Sequence, residues 1–146
     1  MEDKKKYIQE RLKNNHFIQH IGILLHDLQQ GEATLRLTIE KHHLQQNGFT
    51  HGGVTATLCD VATGIAAYTA VAEGKNVVTV DLKVSYLNPS ISNNVKAVGR
   101  VVKSGNFLVF CEGMVYDIFD DGTEKPVATC TSIMAAVDIP VQKSML

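Results

Sequence analysis

Between Gly52 and Ala72 the chain carries one charge, Asp60, and no proline, and it is rich in alanine, threonine and glycine. A run of this length exceeds an ordinary strand and predicts a helix. Two faces can be drawn on it. Val54, Leu58, Val61, Ile65 and Tyr68 form a stripe of large apolar residues, and Gly53, Ala56, Asp60, Gly64 and Ala67 form a stripe of small ones. The small stripe predicts a close backbone approach by whatever it meets. A helix this apolar has to be covered on most sides, by lipid or by protein. A carboxylate near its middle costs roughly 2.5–3.5 kcal/mol in a bilayer, so the expected cover is the rest of the chain.

The flanking sequence reads as that cover. Ala33, Leu35, Leu37 and Ile39 alternate with Thr34, Arg36 and Thr38, and the turn at Gly31 pairs this strand with the segment from Ile21 to Asp27 as a hairpin. After the helix, Val78, Val80, Leu82, Val84 and Tyr86 alternate with Thr79, Asp81, Lys83 and Ser85. Strands at about 95–103, 107–119 and 127–137 follow, the last two separated by the turn Asp120-Asp121-Gly122. One long helix and strands joined by short turns imply an α+β fold, with an antiparallel sheet packed on the helix. Ahead of the hairpin, residues 3–15 form a short amphipathic helix around Ile8 and Leu12. The chain has 146 residues and no repeat or linker, so a single domain over 1–146, with its core at about 21–137, is expected.

Composition removes several function classes. Lys plus Arg (14) against Asp plus Glu (15) leaves a formal charge of −1, without the basic footprint that nucleic-acid binding needs. Few aromatics and no Trp argue against a base-stacking platform. Cys59, Cys111 and Cys130 are widely spaced with no C-x-x-C pair. Neither a disulfide framework nor a cysteine zinc site is expected, and a reducing, cytoplasmic setting follows. Met1 to Lys6 is too polar for a signal peptide. His16 and His20 lie four apart without a supporting carboxylate, so no metal site is read there. His42 and His43 read as solvated loop histidines, and Cys59 as a core thiol. No nucleophile elbow, Walker loop or dinucleotide fingerprint is present.

The residues left over cluster at the start of the helix: Gln45, His51-Gly52-Gly53 and Asp60. Two glycines at a helix N-terminus leave N–H groups bare, with the helix dipole behind them, which suits an anion or a developing oxyanion. The same residues also make a tight turn and nothing more. Asp60 sits two turns into an uncharged helix, where it pairs with a Lys or Arg from a strand, takes part in a subunit contact, or serves as a general base or nucleophile.

Asn47-Gly48-Phe49-Thr50-His51-Gly52-Gly53-Val54, followed by Leu58-Cys59-Asp60, resembles the H-G-G-x(6)-D signature of hotdog-fold acyl-CoA thioesterases of the phenylacetic-acid-degradation type. The likeness continues through Val78 to Pro89 and covers roughly 21–137. It implies a hotdog fold, in which an antiparallel sheet wraps one long central helix and two subunits pair edge to edge. It also implies roles. Asp60 matches the catalytic carboxylate, and Gly52 the residue whose N–H polarises the thioester carbonyl. His51 matches a residue that shapes the turn, and Thr79 the place of a hydroxyl near the attacking water. Gln45 stands where many members have Asn and keeps the side-chain amide. Gly53, Asn47 and Pro89 are implied to border the substrate. Asp60 and Thr79 would come from one subunit, and Gln45, His51 and Gly52 from its partner, in a homotetramer built as a dimer of dimers.

The function so implied is hydrolysis of an acyl-CoA to acid and CoA, needing no metal or redox cofactor. Lys83, Arg100 and Lys103 are candidates for the CoA phosphates, and Met114, Tyr68, Phe49 and Leu87 for an acyl pocket. Two rivals are a hotdog enoyl-thioester hydratase and a non-catalytic acyl-CoA sensor. The first would need a His-plus-acid arrangement that is not found here. The second would need a DNA-binding segment longer than the residues before the first strand.

Overall fold

The computed structural model describes residues 1–138; the end of the expected domain, residues 139–146, lies outside them. The predicted long helix is α3 (Gly52–Ala70). Before it come α1 (Glu2–Lys13), α2 (His16–Ile21), β1 (Leu24–Gln29), β2 (Glu32–Thr38) and a 3-10 turn at Lys41–His43; after it come β3 (Asn76–Tyr86), β4 (Asn94–Ser104), β5 (Leu108–Ile118) and β6 (Glu124–Val137). The six strands form one antiparallel sheet in the order β1-β2-β4-β5-β6-β3, and α3 packs on one face of it. This is the arrangement the resemblance implies. Among the described residues, no helix is long and apolar enough to cross a membrane.

The short helix α2 was not expected from the sequence. Its start is fixed by Asn15, whose side-chain oxygen accepts from the Ile18 N–H at 3.1 Å. Its end is Gly22, at a φ of 89° that favours glycine. It buries Ile18 beside Ile8 of α1 in the same core, which ties the N-terminal helices to the body of the molecule.

The close approach between α3 and the sheet is real but uses a different stripe from the one expected. A β-carbon built on Gly99 of β4 would lie 2.4 Å from the Ala62 carbonyl. The residues of α3 turned into this contact are Thr55, Cys59, Ala62, Thr63 and Ala66, all buried. The expected stripe, Gly53, Ala56, Asp60, Gly64 and Ala67, instead runs down a flank, where only Ala67 is buried. Threonine reads as polar in sequence, yet Thr63 satisfies its hydroxyl by donating to the Cys59 carbonyl at 2.8 Å and so joins the dry face.

Alternation in β3 also breaks. Thr79 pairs with Met134, whereas Asp81 pairs with Ile133, leaving Val80 as a bulge. Val78 and Val80, expected inside, are 43% and 60% exposed. Leu82 and Val84, beyond the bulge, do pack on the core. One extra residue thus turns both Thr79 and Leu82 towards the helix side, which strict alternation forbids.

Gly99→Ala should lower stability by about 1–3 kcal/mol, because the helix backbone must retreat from the new methyl group. Urea unfolding checks this. A variant as stable as the parent would show that the contact is looser than described.

Candidate active site

Two clusters of the predicted site residues form on α3, at different heights. The first lies at its N-terminus. His51 is the N-cap, and its Nδ1 accepts from the Gly53 N–H at 2.9 Å. Among the described residues the Gly52 N–H meets no acceptor, so it points out of the helix end unpaired. The Gly52 carbonyl accepts from the Tyr86 hydroxyl at 2.6 Å. A side chain at Gly52 would meet that phenol at 3.2 Å. Burial pushes the Tyr86 phenol above its ordinary pKa, which keeps the donor protonated.

The loop before the helix is knitted from its own backbone. Gln45 N–H donates to the Phe49 carbonyl at 2.8 Å, Gly48 N–H donates back to the Gln45 carbonyl at 3.0 Å, and the Gln45 side-chain oxygen takes the Asn47 N–H. Thr50 N–H donates to the Ser90 carbonyl at 3.0 Å, bringing Pro89 and Ser90 beside His51. Asp117, fully buried, anchors that stretch by accepting from Ser90 Oγ at 2.6 Å, Ile91 N–H at 2.8 Å and Ser92 N–H at 3.2 Å.

His43 is a correction. Its sequence setting predicts a solvated loop histidine, but it is 1% exposed. Its Nδ1 accepts from the Glu40 N–H at 2.9 Å, and its Nε2 lies 2.6 Å from the Ile21 carbonyl, so that nitrogen carries the proton. The His43 carbonyl in turn takes the His51 N–H at 2.8 Å. The histidine pins the loop that delivers His51 and Gly52; His42 beside it is exposed, as expected.

The second cluster is Asp60 and Thr79. The Thr79 hydroxyl donates to Asp60 Oδ1 at 2.7 Å and lies 3.4 Å from Met134 Sδ. Asp60 Oδ2 has no hydrogen-bond partner among the described residues. Both side chains line a cavity of about 830 Å³ that extends beneath α1. No cation pairs with Asp60 among the described residues.

The remaining candidates divide. Tyr68 lines the cavity, but Met114 and Arg100 lie on the opposite face of the sheet, where alternation in β4 and β5 sends them. Arg100 Nε is also paired with Glu32 at 2.8 Å. Phe49, Leu87, Lys83 and Lys103 are exposed and do not line the cavity. The three cysteines are buried and reduced, and hydrogen bonding with Cys59 holds the Cys130 thiol below its ordinary pKa. Hydrogen bonding to Cys130, burial and nearby Asp60 push the Cys59 thiol far up, and burial pushes Cys111 up to about 11. No group of residues suited to a metal ion occurs among the described residues.

Comparison with known proteins decides the family. The thioesterase superfamily model matches residues 47–122, which hold His51, Gly52, Gly53, Asp60 and Thr79 but not Gln45. The chain belongs to the thioesterase superfamily. A putative esterase of Halobacterium salinarum is 31% identical over 130 residues, covering 86% of this chain and 85% of the relative. Human acyl-coenzyme A thioesterase 13 is 27% identical over 126 residues, covering 85% and 87%. The crystal structure of a thioesterase family protein from Silicibacter pomeroyi superposes with a TM-score of 0.88 at 28% identity, covering 93% of this chain and 99% of that one. This superfamily member is therefore a hotdog-fold thioester hydrolase.

His43→Ala should destabilise the fold by about 1–3 kcal/mol for each backbone group it orphans. Hydrogen exchange should show the His51 amide losing protection first. Unchanged stability would show that the loop holds itself.

Proposed function

We propose that this chain hydrolyses an acyl-CoA thioester, with Asp60 as general base and the Gly52 N–H as oxyanion donor. The Asp60–Thr79 hydrogen bond of 2.7 Å at the cavity wall carries the reading. It fixes one carboxylate oxygen and leaves the other to face a water molecule. The superfamily assignment and the name of the human relative support a CoA thioester as the substrate class. In the proposed step a water oxygen bonds to the thioester carbon as its proton passes to Asp60. The carbonyl oxygen becomes an oxyanion held by the Gly52 N–H and the helix dipole. The carbon–sulfur bond then breaks, and the proton on Asp60 passes to the departing thiolate.

Gly52 and Asp60 are eight residues apart on one helix, about 12 Å along its axis. One carbonyl cannot meet both. The reading therefore assembles each site from two subunits: Asp60 and Thr79 from one, and Gln45, His51 and Gly52 from the other. The edge strand β3 is the seam in this reading, since among the described residues it is unpaired on its outer side and bears the exposed Val78 and Val80. Gly53, Asn47 and Pro89 would border the CoA arm at the helix end.

Thiol release from a panel of acyl-CoAs tests the reading. Asp60→Asn should lower kcat by about 10²–10⁴ with folding intact. Gly52→Pro removes the N–H but also adds a β-carbon that meets the Tyr86 phenol at 3.2 Å, so Gly52→Ala, which adds the same carbon and keeps the N–H, is its control. Proline suits the first position of a helix, and His51 already has the extended backbone (φ −60°, ψ 136°) that precedes proline. It should lower kcat by about 10²–10³. Full activity in folded Asp60→Asn would overturn the general-base assignment, and full activity in Gly52→Pro the oxyanion assignment.

A further inference from the structure

Glycine inside a helix is unfavourable relative to alanine unless something requires it. Gly99 and Gly113 are required by crowding, with neighbours at 2.4 Å and 2.8 Å from an added β-carbon. Gly64, in the middle of α3, is different. A β-carbon there meets only the Met134 methyl, at 3.8 Å, an ordinary contact. No described residue fills the space beside Gly64; it is the cavity that begins at Asp60 and Thr79.

The floor of that cavity is the flank of α3 formed by Asp60, Val61, Gly64, Ile65 and Tyr68. Val77 and Met134 form one wall, and Ile8 and Leu12 of α1 face them. At the far end Tyr68 stacks on Tyr7, ring centroids 5.8 Å apart. Apolar residues thus line the flank of α3 between the carboxylate and the two rings, while Glu10, Arg11, Asn14, Asn15, His16 and Asn76 give the open side of the cavity a polar lining.

We infer that this channel receives the acyl group, that Gly64 provides its depth, and that the Tyr7–Tyr68 stack sets its length. The inference rests on the thioesterase reading above and adds the substrate class: an unbranched acyl chain of medium length. From Asp60 to Tyr68 the helix advances about 12 Å, which matches an extended chain of about eight to ten carbons. A single aromatic ring would fill only the half nearest Asp60 and leave the apolar remainder wet.

The test uses binding, so that it does not depend on turnover. S-alkyl-CoA thioethers from ethyl to hexadecyl are titrated calorimetrically into the full-length protein. Affinity should rise with each added carbon as apolar surface is buried, and then level off near the decyl compound. Gly64→Leu fills the channel and should cut the decyl-to-butyl affinity ratio by about tenfold or more. Tyr68→Ala should move the plateau to longer chains. Gly64→Ala, which suits the helix better than glycine, should lower the same ratio by a smaller factor, and it serves if the leucine variant does not fold. A wild-type profile without length dependence, a Gly64 variant with the wild-type profile, or tighter binding of a benzyl than of a decyl thioether would each overturn the inference. Correct length dependence without Asp60-dependent thiol release would instead overturn the catalytic reading and leave the channel standing.

Discussion

Where β4 passes under α3, a single methyl group on Gly99 would sit 2.4 Å from the Ala62 carbonyl. The helix can lie this low only because glycine faces it from the sheet and alanine, threonine and cysteine face down from the helix. The contact keeps one face of α3 dry and fixes its rotation. With Ala62 and Thr63 turned into the sheet, Asp60 and Gly64 come to the flank, half-buried beside open space. The desolvation that makes a fully buried carboxylate so costly is thereby avoided, and the Thr79 hydroxyl supplies the one hydrogen bond that orients it.

The second device is the bulge at Val80. It changes which side of β3 faces the helix between Thr79 and Asp81, so one strand serves two ends of the site. Before the bulge Thr79 reaches Asp60; after it Tyr86 reaches the Gly52 carbonyl. The loop ahead of the helix is held from beneath by two buried polar side chains, His43 through the 3-10 turn and Asp117 through Ser90 to Ser92. Neither touches the reacting atoms in the proposed scheme. Both position the backbone that does.

The strands and the central helix were legible because their signals are local: alternation, turn glycines and a long uncharged run. The rotation of α3 was not legible, because Thr55 and Thr63 hide on the buried face by bonding back to their own helix or lying against the sheet. The bulge was invisible because strict alternation fits the sequence of β3 better than the real register does, and only the resemblance pointed Thr79 towards Asp60. His43 was misjudged because an adjacent exposed histidine made the pair look like a solvated loop. Asp117 left a signal that went unread: it continues the inward series Val109, Cys111, Gly113 and Val115 at a spacing of two, which marks it as buried. The cavity depends on α1 folding back over α3, a long-range contact that no local pattern encodes.

The central claim is that one site draws on two chains, and mixed oligomers test it most directly. Asp60→Asn and Gly52→Pro subunits, each nearly inactive alone, are refolded or co-expressed together. Every mixed pair then holds one site with both an intact Asp60 and an intact Gly52 N–H. Random pairing predicts recovery to about a quarter of wild-type thiol release. A mixture no more active than its two parents, with mixed pairs confirmed by mass spectrometry, would place the whole site within a single chain and contradict the account.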